Sequence, residues 1–161
     1  MTAAAASALG GANVAAFLDM LAVSEGTDIP GQRSRNRGYD VIVGGQLFND
    51  HRDHPRVLVS LPRYGIKSSA AGRYQFLRST WDDLRARLDL PDFGPVSQDR
   101  AAVALLKQCG AYDLIRLGRF DAAVAAARRI WASLPGAGYG QKEHALETLR
   151  AAYRAAGGLL Q

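Results

Sequence analysis

The chain has only three glutamates in 161 residues, and one of them stands apart from the other two. Leu18, Leu21 and Glu25 follow Val14 at helical intervals, so at about 100° per residue all four project onto one stripe. A carboxyl group held among apolar neighbours, near a helix C-terminus whose partial negative charge opposes ionisation, has a raised pKa and keeps its proton near neutrality. Those are the requirements of a general acid. The competing reading of Glu25 is a structural carboxylate that caps backbone or pairs with an arginine. Glu143 and Glu147, one turn apart with Arg150 in helical reach, read as a solvated helix face.

Other groupings offer weaker chemistry. His51 and His54, set among Asp50 and Asp53, are of metal-ligand type. No zinc spacing is present, however, and His144 falls on a remote helix, so loop hydrogen bonding is the better reading and no metal is expected. The run Pro135-Gly136-Ala137-Gly138-Tyr139-Gly140 imitates a phosphate-cradling loop, but a helix precedes it where a dinucleotide site needs a strand. Small residues there let the backbone approach a ligand while Tyr139 offers a flat apolar face to a sugar. Ser133 and Gln141 can add hydrogen bonds, and the plain alternative is a tight linker. Gly72-Arg73-Tyr74-Gln75-Phe76 has a similar make-up just ahead of a helix.

The elements that must hold these groups follow from period and punctuation. Residues 1–12 read as a flexible tail, and 13–161 as one domain. Asn13 caps a first helix that stops at Gly26. Tyr39–Val43, the turn Gly44-Gly45 and Gln46–Asn49 give a hairpin signal, with room for one more strand at Val57–Ser60. After Gly72 the pattern is helical. Helices are expected after the capping-box-like Ser79 and Asp82, from Ser97 to Gly110, from Asp121 through Ile130 and Trp131, and over 141–156, with a short turn over Tyr112–Leu117. One helix, a small antiparallel sheet and a run of helices make an α+β fold with a cleft between sheet and helical lobe. Glu25 belongs at its back.

Composition narrows the partners. The net charge of +5 and pI of about 9.7 come from 17 arginines and three lysines dispersed along the chain. That favours an anionic substrate or surface. Arg33, Arg35 and Arg37 cluster in a loop without the basic helix or stacking platform of a nucleic-acid module, so no nucleic-acid partner is expected. No apolar run of membrane-spanning length exists, and Met1–Ala16 lacks the basic residue of a standard secretory signal. The single cysteine, Cys109, reads as a small core residue.

Several segments together resemble the lambdoid phage endolysins, the lambda-lysozyme type of peptidoglycan lytic transglycosylase. They are Phe17-Leu-Asp-Met-Leu-Ala-Val-Ser-Glu25-Gly-Thr-Asp28, Arg35-Asn-Arg-Gly-Tyr-Asp-Val-Ile-Val-Gly-Gly45, Asp53-His-Pro-Arg56, Ala71-Gly-Arg-Tyr-Gln75 and Ile130-Trp-Ala-Ser-Leu-Pro-Gly-Ala-Gly-Tyr-Gly-Gln141. Val23, where a tryptophan is common in the family, and Ala70-Ala71, in place of a Thr-Gly-like pair, are departures that leave Glu25 untouched.

The resemblance implies a lysozyme-like fold with Glu25 in the position of the catalytic glutamate. It places Asp40, Arg73, Gln75, Ser133 and Tyr139 in segments that line a glycan cleft. It further implies cleavage between N-acetylmuramic acid and N-acetylglucosamine with formation of 1,6-anhydromuramic acid, without cofactor or metal. Hydrolysis of the same bond, using Asp40, Asp50 or Asp53, and a non-catalytic glycan-binding module are the alternatives. The protein is expected to act as a monomer, made in the host cytoplasm. It would reach the periplasmic wall only after a separate membrane-permeabilising protein has acted, without inserting in the membrane itself.

Overall fold

The computed structural model describes residues 1–138, 140 and 143–161. Seven α-helices are found among these residues: α1 (Ala6–Leu9), α2 (Ala12–Ser24), α3 (Arg78–Leu88), α4 (Pro95–Gln108), α5 (Ala111–Arg116), α6 (Phe120–Ala127) and α7 (Leu146–Ala155). Strands β1 (Val59–Leu61) and β2 (Ile66–Ser68) pair antiparallel, Ser60 opposite Lys67. No helix among the described residues is long and apolar enough to cross a membrane.

Helix α2 is the axis of the core. Val14, Phe17, Leu18, Met20 and Leu21 have no exposed surface, and the helix packs on α1, α4, α5 and α7. It is apolar nearly all round, as a helix enclosed by others must be. Phe17 meets Phe120 of α6 and Tyr153 of α7 edge-on, with ring centres 6.1 and 6.3 Å apart. The expected stripe is therefore present, within a wider buried surface. Asn13 is not the cap: the helix begins at Ala12, and the Asn13 amide instead donates to Ile115 O and accepts from Leu159 N.

The first twelve residues are docked on the domain, unlike the tail expected from their composition. Leu9 is buried in the core, Ala3 N donates to the Tyr39 hydroxyl, and Ala4 N donates to Asp99 Oδ2. Their alanines carry no charge to keep them in water, so a few backbone bonds and one leucine suffice to attach them.

The sheet side also departs from simple pattern reading. Residues 40–48 do turn back on themselves, with Ile42 N donating to Gln46 O and Val41 bridging Leu47. Gly44 and Gly45 take φ of 86° and 88°, a region closed to most side chains, which makes the reversal possible. The pairing stops there because Val41–Val43 is also engaged by the segment 70–72: Val43 N donates to Ala70 O and Gly72 N to Val41 O. The regular strand pair lies further on, at β1 and β2.

Helix ends move relative to expectation where tertiary contacts outrank local signals. Helix α6 ends at Ala127, before Ile130 and Trp131, and α3 begins at Arg78 with no side-chain cap. Trp131 is buried in the turn that follows α6, where its indole N–H donates to Tyr74 O at 3.1 Å. Cys109 is half-buried against the core, as a small apolar residue would be.

Candidate active site

Glu25 caps the C-terminus of α2, its N–H bonded to Leu21 O at 2.8 Å. Helix geometry carries the apolar stripe of α2 to this point, and Gly26, at φ 69°, then turns the chain away. The side chain opens onto a cleft of about 530 Å³. One side is formed by Val23–Thr27 and Gln32, another by Val41–Gly45 of the hairpin with Leu61 and Tyr64, and a third by Gln75, Ser133, His144 and Thr148. Glu25 is the sole carboxylate among the described lining residues.

Burial pushes the Glu25 carboxyl up to about 7, against the opposing pull of a hydrogen bond from Ser133. Ser133 Oγ lies 2.6 Å from Glu25 Oε1, and Ser24 Oγ lies 2.8 Å from Ser133 Oγ. Ser133 can reach this position because its neighbours are anchored: Trp131 and Leu134 are buried, and a turn from Leu134 N to Trp131 O joins them. Desolvation decides the protonation state, and an acid group holding its proton close to neutrality is the outcome.

Gln75 faces the same cleft from a backbone at φ 52°, in the left-handed region. Its amide nitrogen donates to Val41 O and Gly72 O, which leaves the amide oxygen for a ligand. A non-glycine residue held at positive φ beside a cleft is the kind of local strain found at binding sites.

Asp40 and Arg73 are placed otherwise. The Asp40 carboxylate accepts a bond from Ser34 in the loop before the hairpin, and does not belong to the described lining. Arg73 has no exposed surface, so in this conformation it touches no glycan. Its guanidinium meets Asp19 at 2.8 Å and Asp28 at 2.7 Å, donates to Arg37 O, and lies over the ring of Tyr39 at 5.2 Å. Around it, Asp99 accepts from the hydroxyls of Tyr39 and Tyr74 at 2.7 and 2.6 Å. Gln98 accepts from Arg73 N and donates to Tyr39 O. The network ties the loop carrying Asp28, the hairpin and the segment 73–76 to α4. Tyr139 and Gln141 lie outside the described residues.

Three participants escaped the sequence reading. Ser24 was hidden beside Glu25, since a serine in a helix has no obvious partner. Thr27 is buried, its hydroxyl placed between Ala22 O and Arg73 O at 3.1 and 2.6 Å. His144, expected on a remote helix, lies on the cleft before α7 begins, its N–H bonded to Ser133 O at 3.1 Å. No local signal marks any of these three. The other histidines serve loops: His54 is buried with Nε2 2.9 Å from Phe76 O, and His51 lies beside Phe93 O.

The desolvated carboxyl in a cleft between a helical body and a small antiparallel sheet suits a general acid, and together with the likeness of the chain to phage lysozymes and endolysins it makes this a lysozyme-type glycosidase acting on the bacterial cell wall. The lysozyme from bacteriophage lambda complexed with a chitohexasaccharide matches this fold with a TM-score of 0.90 at 51% identity, covering 94% of this chain and 97% of that one. A second structure of lysozyme from bacteriophage lambda gives a TM-score of 0.86 over the same shares. The chain belongs to the endolysin family, whose model matches residues 15–160. It is 53% identical over 156 residues to the endolysin of Escherichia phage P2, covering 91% of this chain and 94% of that protein. It is 54% identical over 147 residues to the endolysin of Escherichia phage lambda, covering 91% and 92%.

Proposed function

We propose that this endolysin cleaves the β-1,4 bond between N-acetylmuramic acid and N-acetylglucosamine by lytic transglycosylation, with Glu25 as both acid and base. Protonated Glu25 gives its proton to the glycosidic oxygen as charge develops on an oxocarbenium-like sugar. The carboxylate so formed takes the proton of the muramic acid C6 hydroxyl, which attacks C1 and closes the 1,6-anhydro ring. One proton leaves Glu25 and one returns, so the enzyme ends as it began.

The observation that carries this reading is the solitary, desolvated carboxyl. A hydrolase with two acidic groups needs a second carboxylate about 5–10 Å away across the sugar. Asp40 is engaged by Ser34, Asp50 by Arg52, and Asp53 by Arg56 and Arg85, and none belongs to the described lining. A carboxyl titrating at about 7 keeps a large protonated share near neutrality, which suits the first step, and its carboxylate is basic enough for the second.

Gln75 and Ser133 take direct contacts with the glycan in this reading, and Tyr139 stacks on a sugar ring. Asp40 and Arg73 act by holding the loops of the cleft in place. The substrate is the glycan strand of peptidoglycan, in line with the chitohexasaccharide held by the lambda lysozyme. The enzyme acts as a monomer, is made in the host cytoplasm, and reaches the wall once a separate protein has permeabilised the membrane. Replacing Glu25 with Gln tests the assignment: the fold should stand while lysis of purified cell walls falls by at least about a hundredfold, the scale of general acid–base catalysis. Retention of a tenth or more of the lytic rate would contradict it.

A further inference from the structure

Ser24 has no part in the reaction just described, yet its side chain is placed as if it had one. It is 4% exposed, in the last position of α2. A serine in a helix ordinarily turns its hydroxyl back to a carbonyl of the preceding turn. Here Ser24 Oγ donates to Ser133 Oγ at 2.8 Å, and Ser133 Oγ donates to Glu25 Oε1 at 2.6 Å. The three side chains form one line of hydrogen bonds, joining the last residue of α2 and its C-terminal cap to a residue that follows α6.

A hydroxyl has one proton to give. Once Ser133 accepts from Ser24, its own proton is directed at the remaining partner, the carboxyl. Oε1 of Glu25 is then an acceptor and cannot also carry the acid proton along that line. Oε2 has no partner among the described residues, so it is the oxygen free to hold the proton. With Ser24 removed, Ser133 could rotate, or reverse and accept from Oε1, and the proton would have two places to be.

We propose that Ser24 is a positioning residue for the general acid: its buried hydroxyl orients Ser133 as a donor to Oε1 of Glu25 and so reserves Oε2 for the proton delivered to the glycosidic oxygen. The proposal rests on Glu25 being that acid. It identifies a residue that acts through Ser133 and touches no substrate. Tyr64 and His144 are the other titratable side chains among the described lining residues, and they are unchanged in the variants that test it.

The test is a double-mutant cycle on pH–rate profiles, with purified peptidoglycan as substrate and Ser24→Ala, Ser133→Ala and both together. Ser24→Ala should lower kcat by about tenfold and leave KM within about twofold, since the lost bond aligns the acid and binds no glycan. Its basic limb should move to higher pH, because donation to the carboxylate is weakened. In the Ser133→Ala background the Ser24→Ala change should have no further effect on either quantity. Ser24→Thr, which keeps the hydroxyl, should recover most of the rate. If Ser24→Ala lowers the folded fraction, Ser24→Cys, of similar size but a weak donor, takes its place with the same expected result.

An unchanged kcat and basic limb in Ser24→Ala, or an equal loss with and without the Ser133 hydroxyl, would overturn the proposal. The two readings fail separately. An active Glu25→Gln removes both, whereas an inactive Glu25→Gln with an unaltered Ser24→Ala removes this one alone.

Discussion

Ser133 donates a 2.6 Å hydrogen bond to Glu25 Oε1 across 108 positions of sequence, joining the turn after α6 to the end of α2. The bond favours the charged carboxylate, and burial favours the neutral acid. Burial wins, and the group titrates at about 7. The contest between these two influences fixes the pH behaviour of the site.

Activity should therefore fall on the alkaline side as Glu25 loses its proton, with a basic limb near pH 7 in the free enzyme. Ser133→Ala removes the influence that lowers the pKa, so the limb should move to higher pH while the rate drops. Measuring kcat/KM against pH for both proteins checks this. A limb that stays in place, or moves down, would mean that the hydrogen bond does not govern the acid.

The same pKa predicts a stability change of definite sign. Glu25 is raised from 4.5 to about 7 on folding, so the folded state binds the proton more tightly than the unfolded chain. Its favourable contribution is fully present below the unfolded value and is lost as pH rises through about 7. Glu25→Gln should thus match the wild type near pH 4. It should exceed it above pH 7 by an amount approaching about 3 kcal/mol, an upper figure from the size of the shift. Urea denaturation of the two proteins across pH 4–8 measures the difference.

Gly38→Ala should destabilise the protein by about 2–4 kcal/mol, the range for a strained backbone with a steric clash. Gly38 has φ of 85°, and an added Cβ would lie 2.6 Å from the Thr27 carbonyl oxygen. Backbone, which cannot swing aside like a side chain, has to move. Because Thr27 follows Glu25 by two residues, the lytic rate should fall along with the urea midpoint. A variant of wild-type stability would show that the loop has slack.

Arg73→Met should cost about 3 kcal/mol, because it removes the buried cation that Asp19 and Asp28 both face and leaves them only the exposed Met1 N-terminus and Arg37. Methionine fills comparable volume, so a packing loss is a small part of the result. Restoring stability by adding Asp19→Asn and Asp28→Asn in the Arg73→Met background would identify the stranded charges as the cause. A loss below about 1 kcal/mol would mean that water replaces the guanidinium.

What could be read from the sequence was what depends on short-range period. Val14, Leu18 and Leu21 are buried along α2, and the carboxyl at the end of their stripe is desolvated as its spacing implied. The reversal at Gly44-Gly45 was legible because two adjacent glycines permit a backbone that other residues resist. Strand β2 was not, since Ile66-Lys67-Ser68 is short and largely exposed and leaves no alternation to detect. Arg73 was placed at the cleft by the resemblance of its segment, which does not show which way a side chain turns; its partners Asp19 and Asp28 are 54 and 45 residues away and carry no local mark. Ser24 and His144 were missed for the same reason: each acquires its meaning from Ser133, which only the folded chain brings near.

In the proposed reaction Glu25 alone moves the protons, and the muramic acid C6 hydroxyl attacks the sugar in place of water. Mass spectrometry of the muropeptides released from purified peptidoglycan tests it most directly. Products carrying 1,6-anhydromuramic acid, with no new reducing ends, are the predicted result. Products heavier by one water and bearing reducing ends would contradict the proposed mechanism and require a route through an activated water molecule.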